Sequence, residues 1–321
     1  MQKFRLKNNS SQNDLGFGTR TGAGRNMNKD GSFNVVRKGE PGFRPYEIYH
    51  ELITMSWLKF FILILSCYSF FNLIFAFLYY WTGVEHLTGI ETNISEKAKF
   101  LEAFFFSSQT LTTVGYGRIA PLGSLTSSIA AVESMIGLLG FALATGLLYG
   151  RFSKPQAKIL YSSNAIVAPY RDGKAIMFRL VNQRRNQLIE VEVELSLTYI
   201  HPETKTRTFH FLELERNRIN LFPLSWTIVH PLDENSPLYE FTAEDLLDSK
   251  AELIVLLKAF DDTFSQTIYS RTSYKAEEVI FGAKFLPMFS QLPDGRTALD
   301  LNLINTMEKV DLPENKTLKA E

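Results

Sequence analysis

The chain has 321 residues, enough for two or three structural units, with 34 basic residues against 34 acidic ones and a mean hydropathy of −0.05. Balanced charge excludes the basic field that a nucleic-acid binder carries, so no nucleic-acid partner is expected. The single cysteine, Cys67, excludes an intrachain disulfide framework, which suits soluble parts that face a reducing cytoplasm.

Residues 1–44 are polar, basic and rich in Gly and Asn, without the apolar core of a secretory signal. They read as a partly disordered cytoplasmic segment, with the stretch up to about Met27 lacking fixed structure of its own. Over 45–58, Tyr46, Ile48, Tyr49, Leu52, Ile53 and Trp57 recur at helical spacing. This stretch is too polar to span and reads as an amphipathic helix along the inner membrane surface.

A pore domain is expected over 59–154. Residues 60–81, FFILILSCYSFFNLIFAFLYYW, carry no charge. About 20 apolar residues cross a hydrocarbon layer of ~30 Å, so this run predicts a transmembrane helix, and Cys67 within it faces lipid or core. Trp57 and Lys59 at one end, and Tyr79, Tyr80 and Trp81 at the other, sit where interfacial anchors belong. A second span is predicted over 122–152, with Glu133 its only charge before Arg151. An ionisable residue inside a span faces protein or water. For Glu133, a structural hydrogen-bonding role behind the pore wall is favoured over a role as a functional ligand. Between the spans, 98–111 is apolar but too short to cross and leads into Gly-rich backbone, which describes a re-entrant pore helix and loop. Ten Lys/Arg against five Asp/Glu over 1–59, with Arg151, Lys154 and Lys158 after the second span, put both termini in the cytoplasm of a multi-pass plasma-membrane protein.

The loop reads Thr113-Val114-Gly115-Tyr116-Gly117. A potassium ion in a narrow pore needs oxygens to replace its water, and successive carbonyls aimed at one axis supply them. Gly115 and Gly117 can take left-handed angles that let those carbonyls line up. The carbonyls of Thr113, Val114, Gly115 and Tyr116, with the Thr113 hydroxyl, are the expected ligands, and the Tyr116 ring braces the loop. One chain supplies one wall, so a closed ring implies a homotetramer. Potassium is the permeant ion and no cofactor is expected. The five histidines show no metal-ligand spacing.

On the second span, Gly137 and Gly146 suit either close packing or a hinge. Phe141, Thr145, Tyr149 and Phe152 fall near one stripe, and Tyr149 is either a hydrophobic gate or an interface anchor. Lys59, Arg151, Lys154 and Lys158 are candidate ligands for anionic phospholipid phosphates, or simply inner-surface anchors.

From 155 to 310 the period changes to two. IEVEVELSLTY over 189–199 alternates, with Glu190, Glu192 and Glu194 on a solvated face, and 253–260 reads as a core strand. Further strands are expected at 176–180, 206–215 and 265–274, with turns at 171–173 and 293–295. Many short strands predict an antiparallel β-sandwich, followed by a tail over 311–321.

With SSQTLTTVGYG at 107–117, the chain resembles the prokaryotic inward-rectifier potassium channels. The similarity covers roughly 31–287 and includes DGSFNVVR at 30–37, FSKPQAKI at 152–159, FRLVNQRRNQLIE at 178–190, WTIVHPLDENSPLY at 226–239, and SRTSY with EVIFGAKF within 270–285. The resemblance implies an immunoglobulin-like cytoplasmic domain that extends the ion path, with a second constriction over 259–265 that includes Phe260. Relatives that rectify strongly carry acidic residues where Phe141 and Lys258 stand, so weak block by internal Mg²⁺ or polyamines is expected. Gln109 replaces the usual pore-helix glutamate, and Ser56 replaces a common arginine. The alternative is a potassium channel opened by a soluble ligand on the β-domain. A membrane-anchored enzyme is the reading from another class, but no catalytic motif supports it.

Overall fold

The computed structural model describes residues 24–36, 38–39, 47–91, 93–153, 157–184, 186–222 and 224–313. The chain divides into two units: residues 39–154, and residues 155–321 together with 1–38.

The first unit is helical. Helix α1 (Ile48–Thr54) is followed by two extended residues, Met55 (ψ 160°) and Ser56 (ψ 151°). That break starts α2 (Trp57–Thr82), so Trp57 opens the long helix instead of closing the surface one. Asn72, Phe75, Ala76 and Tyr79 form its buried stripe at helical spacing, while Phe61, Ile62, Leu65, Phe70, Leu73 and Phe77 stay exposed. Outward apolar side chains on a helix roughly 39 Å long suit a hydrocarbon surround. Strand β1 (Leu87–Thr88) precedes α3 (Glu96–Leu111), whose N-cap Ser95 side chain accepts the Ala98 N–H. After the loop, β2 (Ala120–Pro121) pairs antiparallel with β1, and α4 (Ser124–Phe152) closes the unit. Phe75, Tyr79, Leu87, Ala103, Phe106 and Ile119 make the core behind the loop.

The second unit is a two-sheet sandwich. Its elements in order are β3 (Ile159–Tyr161), β4 (Ala165–Tyr170), β5 (Gly173–Asn182), β6 (Leu188–Ile200), β7 (Arg207–Leu212), β8 (Arg218–Leu221), β9 (Ser225–Pro231), α5 (Ala243–Asp248), β10 (Glu252–Asp261), β11 (Gln266–Lys275) and β12 (Val279–Phe281). One sheet runs β11-β10-β6-β7 with β8 also on β6; the other runs β12-β4-β5-β3 with β9 also on β5. The pairings are antiparallel except β12 with β4, a departure from the all-antiparallel expectation. Val191, Val193, Leu195, Leu197 and Tyr199 of β6 meet Ile176, Phe178, Leu180 and Ile228 of the facing sheet. Glu190 and Glu194 are exposed as the alternation predicts, and Glu190 sits at a bulge with φ +50°.

The N-terminal residues correct one expectation. Asn26 and Met27 are buried against this unit. The Glu252 carboxylate accepts the Asn26 N–H and side-chain amide, both at 2.8 Å, and the Met27 N–H at 3.1 Å. Arg25 reaches Glu278 and the Ser273 carbonyl, and the buried Arg207 guanidinium reaches the Gly24 carbonyl at 3.2 Å. Long-range polar contacts therefore fix a stretch that its own composition could not.

Candidate ion filter

Helix α3 presents Ala103, Phe106, Ser107 and Leu111 on one buried face, toward α2 and α4. Its packing centres on Glu133, fully buried on α4. The carboxylate accepts the Tyr79 hydroxyl from α2 at 2.6 Å and the Ser107 hydroxyl from α3 at 2.5 Å, with the Asn72 side-chain oxygen 3.2 Å from Ser107. A buried carboxylate is tolerable when such donors surround it. Glu133 thus joins three helices.

At the end of α3, Gly137 of α4 lies against the Leu111 carbonyl, where a Cβ would come within 1.9 Å of the oxygen. This close approach favours the packing reading of Gly137. Around Gly146 a Cβ meets nothing within 4 Å. The last carbonyls of α3 then turn the chain: Thr110 O accepts the Thr113 N–H at 3.0 Å, and Gln109 O accepts those of Val114 and Gly115 at 2.9 and 3.3 Å.

The filter backbone alternates. Thr113 (φ +60°), Gly115 (φ +54°) and Gly117 (φ +81°) are left-handed, while Val114 and Tyr116 between them are not. Alternation of this kind aims consecutive carbonyls in one direction, as ion coordination requires. Thr113 is the residue that glycine counting missed. A β-branched side chain at positive φ is costly and needs surrounding structure to impose it. Here the tie of its N–H to Thr110 imposes the turn. The whole strand 113–117 is exposed on the single protomer, with Tyr116 at 79 %.

The other candidate residues separate. Phe141, Thr145 and Tyr149 are exposed along α4. Phe152 leaves that stripe, because its ring packs 5.1 Å from Trp57. Lys59 and Lys158 are exposed, and Lys154 lies outside the described residues, as do 45 and 46 of the expected surface helix. Arg151 is buried, and this is a correction: its guanidinium donates to the carbonyls of Leu52 (2.6 Å) and Met55 (2.7 Å) and lies 4.5 Å from the ring centres of both Trp57 and Phe60. It clasps the end of α1 instead of facing a phosphate. In the sandwich unit, Phe260 is half-buried within the ladder opposite Thr267 and Ile189, and the exposed turn is 262–265. Asp261 shapes that turn by accepting the Thr263 N–H at 3.0 Å and the Asn186 amide at 2.6 Å.

Comparison with known proteins agrees with this arrangement. Residues 56–154 match the family described as Ion channel, and residues 159–321 match the Inward rectifier potassium channel C-terminal domain. The chain is 39 % identical over 283 residues to the inward rectifier potassium channel Kirbac3.1 of Paramagnetospirillum magnetotacticum, covering 86 % of this chain and 92 % of that protein. It is 26 % identical over 317 residues to the G protein-activated inward rectifier potassium channel 2 of Rattus norvegicus, covering 90 % of this chain and 73 % of that protein. Two apolar helices flanking a re-entrant loop, joined to a β-rich domain, define a potassium-channel subunit in a membrane. The chain belongs to the inward rectifier potassium channel family.

Proposed function

We propose that four copies of this chain surround one pore, in which the carbonyls of Thr113, Val114, Gly115 and Tyr116 and the Thr113 hydroxyl replace the water of a potassium ion. The alternating left-handed backbone at Thr113, Gly115 and Gly117 is the observation that carries this reading. Both termini lie in the cytoplasm, and flow is passive and weakly rectifying, since Phe141 and Lys258 offer no carboxylate to internal Mg²⁺ or polyamines. Tyr149 narrows the inner helix end. Lys59 and Lys158, exposed and basic, are the residues left to attract anionic phospholipid.

The test is radioactive rubidium uptake into liposomes holding the full chain, with sodium as competitor and anionic lipid varied. Rubidium and potassium should exclude sodium, and Gly115→Ala should abolish selectivity or current while the cytoplasmic unit stays folded. Equal passage of sodium by the unaltered protein would overturn the reading.

A further inference from the structure

The last turns of α2 and the first turns of α3 part around an apolar cleft of about 570 Å³, lined by Phe77 and Tyr80 from α2 and by Glu96, Lys97, Phe100 and Leu101 from α3. Small-ligand sites fall within ~300–1,000 Å³ and are likewise mostly apolar with a few polar groups. Tyr80 and Phe100 meet edge to face across the two helices at 6.0 Å, while Phe77 and Leu101 stay 60 % and 51 % exposed. Bare apolar side chains at this end of a span meet lipid instead of water.

The polar rim of the cleft is unevenly satisfied. Glu96 accepts the Tyr80 hydroxyl at 2.8 Å and a Lys99 N–H at 2.9 Å, so its charge is already answered. Lys97 is exposed and has no carboxylate partner among the described residues. The rim therefore offers one free cation above an apolar hollow. Depth points to the same kind of occupant. Tyr80 and Trp81 stand where interfacial aromatics belong, and Phe77, three residues earlier, lies roughly 4.5 Å deeper along α2. The cleft thus runs from headgroup level into the acyl layer, which fits a molecule with an anionic head and a hydrocarbon tail.

We propose that this cleft holds one anionic phospholipid of the leaflet at the Tyr80 end of α2, with an acyl chain between Phe77, Phe100 and Leu101 and its phosphate on Lys97. Under the proposed orientation this is the outer leaflet, at the opposite end of α2 from Lys59. The lipid ties the end of the first span to the start of the helix that leads into 113–117. The site rests on α2 as a span, and not on which ion the filter selects.

Delipidated full-length protein is titrated with dioleoylphosphatidylglycerol and, separately, with dioleoylphosphatidylcholine, and bound lipid is counted by native mass spectrometry beside the melting temperature. Phosphatidylglycerol should bind the unaltered protein and raise its melting temperature. Lys97→Gln should weaken that binding about fivefold, the factor corresponding to about 1 kcal/mol for one basic residue at an anionic headgroup, and leave phosphatidylcholine binding unchanged. Leu101→Trp, which fills the cleft, should remove one bound lipid per chain of either kind. Lys59 is common to every variant, so differences between them report the cleft. An unaltered protein that binds no phosphatidylglycerol overturns the site, as does unchanged affinity in Lys97→Gln, the result expected if a neighbouring copy of the chain closes the cleft. Equal loss of both lipids in Lys97→Gln, or full binding by Leu101→Trp, overturns it too. If Leu101→Trp does not assemble, Lys97→Gln decides alone by the same criterion.

Discussion

Gly137→Ala tests how closely the inner helix and the filter are coupled. The added Cβ would stand 1.9 Å from the Leu111 carbonyl oxygen, 2.8 Å from its carbon and 3.1 Å from Leu111 Cα, whereas ordinary contact begins at 3.4 Å. All three atoms are backbone, so no rotamer change relieves the overlap. The end of α3 must withdraw by about 1.5 Å, and overpacking of this kind costs about 1–3 kcal/mol. Leu111 lies two residues before Thr113, and the bonds from Val114 and Gly115 to Gln109 O, at 2.9 and 3.3 Å, have no slack for such a shift. The alternating filter backbone should therefore deform.

The assay is rubidium uptake with sodium competition, read beside the thermal stability of the purified assembly. Gly137→Ala should lose potassium selectivity or uptake and melt at lower temperature. Gly146→Ala is the control: with nothing within 4 Å of its Cβ, the change should be neutral or stabilising, because alanine is the better helix former by about 1 kcal/mol. Wild-type selectivity and melting in Gly137→Ala would refute the argument that this close approach positions the filter.

Phe141→Asp, at an exposed position on α4, should strengthen block by internal polyamines in patch recordings; unchanged block would mean that the side chain does not face the ion path. Glu252→Ala should deprive buried Arg207 of its carboxylate and release Asn26 and Met27, lowering stability by about 3–5 kcal/mol and opening residues 24–36 to limited proteolysis. Stability should also fall on acidification. His230 is buried, its Nδ1–H donating to Glu213 O at 2.6 Å and its Nε2 accepting from the Ser236 hydroxyl at 2.8 Å, and burial holds its pKa below the ordinary 6.5. The unfolded chain therefore takes up the proton first, so stability declines as pH drops below about 6.5 toward the folded-state pKa. His230→Gln should make that decline shallower, with His210, lowered by burial too, accounting for a remainder; identical slopes in thermal melts would exclude His230.

What the sequence revealed depended on whether a local pattern carried the information. Residues 60–81 announce a span because apolar length is itself the physical requirement, and α2 extends that run only to Trp57–Thr82. Strand β6 shows its period along 189–199, and its inward residues are those buried between the sheets. The strap at 24–27 was illegible because its partners, Glu252 and Ser273, lie more than 200 residues away, and nothing in a polar stretch points to them. The left-handed Thr113 was missed for a related reason. Residue type gives the cost of that conformation, while the carbonyls that impose it belong to the end of a neighbouring helix.

The basic residues of the expected lipid group show the same limit. Arg151 and Lys59 look equivalent by charge and by distance from the apolar spans, yet α1 separates them. A seven-residue helix ends with carbonyls that have no helical partner, and the guanidinium supplies two N–H groups to that end while its face rests on two aromatic rings. A lysine ammonium in the same place could neither fork across Leu52 and Met55 nor stack as a plane. Arginine is thus used at the buried joint, while Lys59 and Lys158 stay exposed. The sequence shows which residues are cationic; which of them are free depends on where short helices leave their carbonyls.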